Sequence, residues 1–172
     1  MEEALLRCTK PVIAAVNGTC CGGGLELALM CDFIVAAETA KIGDAHANFG
    51  ALPGGGATVR LPRVVGLNQA RFLMFSGELF PAAQLVASGL VTRAVPAEAL
   101  EAEVQALAEK IAAKSPIGLA RMKMLLQDGL DMPADLAAKN EKLVAAEHMR
   151  SWDAGEGGKA FVEKRKPEFR GY

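Results

Sequence analysis

Residues 18–32, GTCCGGGLELALMCD, decide how the rest of the chain is read. Three consecutive glycines, Gly22 to Gly24, open an apolar run of Leu25, Leu27, Ala28, Leu29 and Met30, with one carboxylate, Glu26, inside it. Glycines at the head of a helix let the backbone take left-handed conformations and leave amide N–H groups uncovered. Uncovered amides can hold an anion or an oxyanion that develops during a reaction. Tight packing of helix on strand is the purely structural use of the same glycines. Neither G-x-G-x-x-G nor a P-loop ending in Gly-Lys-Ser/Thr is present in NGTCCGGGLE, so nucleotide-binding turns fit poorly. On an exposed helix Glu26 would be a dipole-stabilised cap. Among apolar neighbours and beside uncovered amides, it suits general acid–base chemistry next to an oxyanion site.

Working outward, PVIAAV at residues 11–16 reads as a buried strand closed by the Asn17-Gly18 turn. A helix from residue 23 or 24 to residue 31 and a strand, FIVAAE, at residues 33–38 complete an α/β unit. Residues 42–56, IGDAHANFGALPGGG, are dense in Gly, Asn, Asp and Pro and read as irregular chain with one helical turn, of the sort that carries sites. Helical patterns resume at TVRLPRVVG and NQARFLMFSG. ELFPAAQLVASGLVTRAV reads as a short strand, a helix stopped by Gly89, and a strand at residues 90–95. From Pro96 the chain turns all-helical. A first helix has acids early and lysines late; Ser115-Pro116 opens a second, to about residue 127, and Pro133 a third, to about residue 152. A last short helix stops before Pro167. The expected organisation is an α/β core over residues 1–96 and a helical region over residues 97–172.

A length of 172 residues, with 51% hydrophobic and 23% charged, fits one globular domain and excludes a disordered chain. The net charge of −1 gives no reason to expect nucleic acid or an anionic membrane as partner. MEEALLRCTK lacks the pattern of a secretory leader, and no apolar run is long enough to span a bilayer. Cys8, Cys20, Cys21 and Cys31 are not at metal-ligand spacing and read as small buried hydrophobes in a reducing, cytoplasmic compartment. No metal is expected. Of the two histidines, His148 lies in the charged helical pattern NEKLVAAEHMR and reads as a solvated surface residue. His46 sits in the irregular segment, where an imidazole can exchange protons near neutral pH. Asp44 is its nearest acidic neighbour, placed either to orient the ring or to cap a turn. KAFVEKRKPEFR is a basic cluster with two phenylalanines, either a solvated helix end or a local site for phosphates and an adenine ring.

KPVIAAVNGTCCGGGLELALMCDFIVAAETAKIG, followed by FGALPGGGATVRLPRVVG, SGELFPAAQLVASGLVTRAVP and AFVEKRKPEF, closely resembles the crotonase, or enoyl-CoA hydratase/isomerase, superfamily. Resemblance runs from about Lys10 to the end of the chain. It implies an α/β core of stacked ββα turns, followed by helices that build trimers or dimers of trimers. It also implies acyl thioesters of coenzyme A as substrates, with no cofactor beyond the coenzyme A they carry. The oxyanion donor maps onto Gly23, and the base that activates water onto Glu26. Gly22, Gly24, Leu52, Pro53 and Gly54 fall in the substrate-binding segments. Phe161 and Lys164 match positions that contact the coenzyme of a neighbouring subunit. The family's second glutamate aligns with His46, which puts an imidazole in the proton donor's place. The same replacement is similar to the family's diketone (C–C bond) hydrolases, whose supporting aspartate aligns with Gly55. Full members have a further N-terminal stretch that carries the other oxyanion amide and most of the coenzyme's ADP pocket. The chain is therefore expected to be an N-terminally truncated member with weak or no activity alone. An oligomeric scaffold without catalysis is the alternative of another class.

Overall fold

The computed structural model describes residues 2–172. The described residues divide into two compact units: residues 2–8 with 12–107, and residues 9–11 with 108–172.

The first unit holds a short helix α1 (Glu2–Leu6), strands β1 (Ile13–Val16) and β2 (Cys20–Cys21), and helix α2 (Gly23–Ala28). Strands β3 (Phe33–Ala37) and β4 (Lys41–Gly43) lead to a 3-10 turn at His46–Phe49. Helices α3 (Ala57–Val65) and α4 (Leu67–Ser76) precede β5 (Phe80–Pro81), a 3-10 turn at Ala82–Leu85, and β6 (Arg93–Val95). Helix α5 (Leu100–Ala112) carries the chain on into the second unit. One sheet has the order β1-β3-β6, all parallel, with Ala15 opposite Val35 and Val35 opposite Arg93. A smaller sheet has the order β2-β4-β5, with β2 parallel and β5 antiparallel to β4. Parallel strands are buried on both faces, which explains why FIVAA is apolar throughout rather than alternating. Val35, Ala36, Ala37, Leu25, Ile42, Leu61, Leu73 and Leu85 belong to the core of this unit.

Several elements depart from expectation. Helix α2 stops at Ala28 instead of running to residue 31, because Asp32 draws the chain back to β1. Its carboxylate accepts the Val12 N–H at 2.7 Å and its own N–H donates to Val12 O at 2.9 Å. The helix expected after β5 is a single 3-10 turn, with the Ala82 and Ala83 amides donating to Ala40 O and Glu38 O. Strand β6 is three residues rather than six. Strands β2 and β4 fall where no strand was expected. Of the cysteines only Cys20 is buried, with its thiol pushed up to about 11 by burial; Cys8, Cys21 and Cys31 are half-buried, and all four are free of disulfides.

The second unit packs α6 (Pro116–Gly129), α7 (Ala134–His148) and α8 (Trp152–Val162). Ser115 caps α6 by accepting the Gly118 N–H at 3.0 Å, with proline at the first helical position. Helix α7 ends four residues before Trp152 because Ser151 caps a new helix, accepting the Ala154 N–H at 3.2 Å. Two buried carboxylates on α8 tie down the C-terminal residues. Asp153 accepts from Ser115 Oγ (2.6 Å), Arg170 N (2.7 Å) and Gly171 N (3.1 Å). Glu156 accepts from the Arg165 guanidinium (2.9 Å to Oε2) and from Glu168 N (2.8 Å). His148 is not a solvated residue. It is half-buried, with Nδ1 3.1 Å from the Arg121 guanidinium.

Candidate functional site

The site grows from the small sheet. Strands β2 and β4 run parallel, Cys21 opposite Gly43, and the pairing continues one step further through Gly22 N–H to Asp44 O at 2.8 Å. Beyond that bond the two chain segments diverge, one into α2 and the other into the turn that bears His46. Gly22 has φ 53° and ψ −128°, a conformation essentially reserved for glycine. That sharp turn lets α2 begin at Gly23. The first main-chain bond of the helix is Glu26 N–H to Gly22 O at 3.1 Å, so the amides of Gly23, Gly24 and Leu25 have no acceptor within the helix. A methyl group placed on Gly23 would meet no atom within 4 Å, whereas one on Gly22 would lie 3.9 Å from His46 Nε2. Space beside the Gly23 Cα is therefore open, and the imidazole lies next to Gly22.

Glu26 is only 6% exposed. Its Oε1 accepts two amides from the second glycine cluster, Gly55 N–H at 2.6 Å and Ala57 N–H at 3.2 Å. Its Oε2 is left facing His46 Nε2 at 4.0 Å. One oxygen anchors the carboxylate and the other is available for chemistry. The His46 ring is held from behind by Asp44, 1% exposed, whose Oδ1 lies 3.0 Å from Nδ1 and whose Oδ2 accepts the His46 main-chain N–H at 3.3 Å. Ala45 between them is left-handed (φ 61°), which folds the ring back onto the carboxylate.

Gly22, Gly23, Glu26 and His46 are thus brought together. Leu52 and Gly54 are exposed and Pro53 half-buried on the loop that leads to Gly55; Gly24 approaches Cys20 Sγ, which a methyl on it would meet at 3.9 Å. Phe161, 86% exposed, lies near the end of α8 and Lys164 follows it with a left-handed backbone (φ 54°), both on the second unit. The amides of Gly55 and Ala57 were not anticipated as part of the site. The signal was present in GALPGGGA: a second glycine cluster needs an acceptor for its amides, and Glu26 was the acid without a partner. A side chain at Gly55 would stand 3.0 Å from the Glu26 carboxylate, so the support an aspartate would give there is excluded while Glu26 holds its place.

The family model described as enoyl-CoA hydratase/isomerase matches residues 2–172. The chain belongs to that family. Among relatives, a probable enoyl-CoA hydratase of Bacillus subtilis is 44% identical over 163 residues, covering 94% of this chain and 63% of that protein. A crotonyl-CoA hydratase of Syntrophomonas wolfei is 39% identical, covering 93% of this chain and 62% of that protein. The crystal structure of an enoyl-CoA hydratase from Bacillus anthracis superposes with a TM-score of 0.96 at 37% identity, covering 99% of this chain and 66% of that one. The chain thus spans somewhat under two thirds of the length of these members of the enoyl-CoA hydratase/isomerase family. Its mixed α/β architecture is the crotonase fold.

Proposed function

We propose that the protein processes acyl-CoA thioesters as an enoyl-CoA hydratase or isomerase, with Glu26 and His46 as its proton-transfer pair. The observation that carries this reading is the 4.0 Å separation of Glu26 Oε2 and His46 Nε2 beside open space at Gly23. Two groups at that spacing can each contact one water. With the thioester oxygen on the Gly23 amide, Glu26 takes a proton from that water as its oxygen bonds to Cβ. The electrons of the double bond move onto the thioester oxygen as an enolate, where the amide stabilises the charge. Imidazolium His46 then gives its Nε2 proton to Cα, and the sum is one water added across the double bond. Returning the proton from Glu26 to His46 through a second water resets the pair. Moving a proton between two carbons without water would use the same two groups for isomerisation.

Gly22, Gly24, Leu52, Pro53 and Gly54 border the acyl-thioester in this reading. Phe161 and Lys164 offer an apolar ring and an ammonium to the coenzyme of a neighbouring subunit. Assembly as a trimer or dimer of trimers belongs to the same proposal. Its support is the exposed apolar surface of α6 to α8, including Leu126, Leu143 and Val162, with Met149 between α7 and α8. The compartment proposed is the cytoplasm, supported by four cysteines free of disulfides; among the described residues no helix is long and apolar enough to cross a membrane.

The test is hydration of crotonyl-CoA, followed by loss of enoyl absorbance, in the parent protein and Glu26→Gln. Glutamine keeps an oxygen for the Gly55 and Ala57 amides, so folding and assembly are expected to survive while turnover falls on the order of 100- to 10,000-fold. Undiminished turnover in Glu26→Gln refutes the assignment, and a scaffold would show assembly with no turnover in either.

A further inference from the structure

We infer that Asp44 is a positioning residue that fixes the tautomer of neutral His46, placing the proton on Nδ1 and leaving Nε2, on the side of Glu26, as the atom that gains and gives up the second proton. The contact rests on geometry independent of the reaction. The carboxylate grips two points of the same residue: Oδ2 takes the His46 main-chain N–H at 3.3 Å and Oδ1 faces Nδ1 at 3.0 Å. A carboxylate only accepts, so the ring nitrogen facing it must donate. Both oxygens are assigned, Asp44 is fully buried, and its main-chain oxygen is held by Gly22 N–H at 2.8 Å, so it cannot turn away without breaking the site. Among the described residues the charged groups within 4.0 Å of the ring nitrogens are Asp44 and Glu26. Of these two carboxylates only Asp44 lies within hydrogen-bonding distance of a ring nitrogen, 3.0 Å against 4.0 Å for Glu26.

Replacement by asparagine makes the point sharp. The main-chain N–H of His46 is a donor that cannot invert, so in Asp44→Asn the amide oxygen must take the Oδ2 position. That puts the amide NH2 group against Nδ1. Two donors cannot face each other, so the ring proton moves to Nε2, and the imidazolium form, which carries N–H on both nitrogens, is disfavoured as well. A substitution of the same shape, keeping the same turn, inverts the proton inventory of the cleft.

The kinetic consequence rests on the proposed acid–base roles; the tautomer does not. The experiment is therefore long-range 1H–15N correlation of the 15N-labelled protein with both imidazoles neutral, the two histidines being assigned through His148→Gln. The result expected is a protonated Nδ1 and a bare Nε2 for His46 in the parent chain, and the reverse in Asp44→Asn. In crotonyl-CoA hydration Asp44→Asn is expected to lower kcat on the order of 100-fold or more, with KM within a few-fold of the parent value. An Nε2–H tautomer in the parent protein, or an unchanged spectrum in Asp44→Asn, overturns the inference. Should Asp44→Asn fail to fold, the parent spectrum alone decides. A protein with the expected spectra and no turnover would sink the enzymatic reading while leaving the inference standing.

Discussion

Gly55→Ala is the substitution through which the hold on Glu26 can be weighed. An added methyl would sit 3.0 Å from Cδ and Oε2 of Glu26 and 3.1 Å from its Cβ, tighter than ordinary contacts. Gly55 is not one of the positive-φ glycines, so the backbone itself accepts alanine and the whole penalty comes from the carboxylate's side chain. Glu26 is too deeply buried to swing into solvent, and yielding stretches its bonds from the Gly55 and Ala57 amides, now 2.6 and 3.2 Å. Hydrogen bonds to a charged group contribute about 1.5–3 kcal/mol each, so losing both would cost about 3–6 kcal/mol and partial yielding about 2–4 kcal/mol. Opposing this, alanine restricts the unfolded chain and returns about 0.4–1 kcal/mol. In a Glu26→Ala background the carboxylate is gone and only the Cβ contact at 3.1 Å remains, so Gly55→Ala is expected to cost far less than in the parent chain. Urea unfolding followed by circular dichroism, run as a double-mutant cycle, measures both. An equal loss in the two backgrounds would refute the account.

Two further expectations concern the second unit. Ser115→Ala removes an N-cap worth about 1 kcal/mol and the hydroxyl that donates to buried Asp153, and it should cost about 2–3 kcal/mol in urea unfolding; a change under about 0.5 kcal/mol would count against the clamp. The Arg165 guanidinium, aided by the Glu168 amide, holds the Glu156 carboxyl down from 4.5 to about 2. The folded form therefore sheds this proton more readily than the unfolded one, and the stabilisation is complete above pH 4.5 and lost as pH falls toward about 2. Arg165→Met should flatten the fall of the thermal midpoint across that window, and an unchanged slope would show that the pair does not govern it.

Much of this was legible in the residues. FIVAA could be read as a buried strand because an unbroken apolar run bounded by turn residues has few other solutions, and Ser115-Pro116 announced a helix by its capping chemistry. The glycine run marked the head of α2, and the motif order carried Glu26 and His46. Strands β2 and β4 were invisible, since two or three residues show no periodicity and their pairing depends on partners about twenty positions away. The early end of α2 was hidden for a like reason: Asp32 reaches back to Val12, and no local preference encodes that. Residues 82–85 carry a helical pattern but close only one 3-10 turn, with the Ala82 and Ala83 amides bonded to the β3–β4 connection. At the site, the sequence allows Asp44 to be a turn cap or a ring orienter, and the geometry gives it both, one oxygen for each.

The extra rung between Gly22 and Asp44 has a bearing on how such a site can change. It rivets together the two chain segments that bear the proton carriers, using main-chain atoms alone. This rung does not depend on which side chain occupies position 46, and that position behaves as a socket. A carboxylate or an imidazole plugged into it would meet Glu26 from the same direction. Chemistry could then drift by exchanging the plug, and Asp44 would be the adaptor that suits the socket to a histidine.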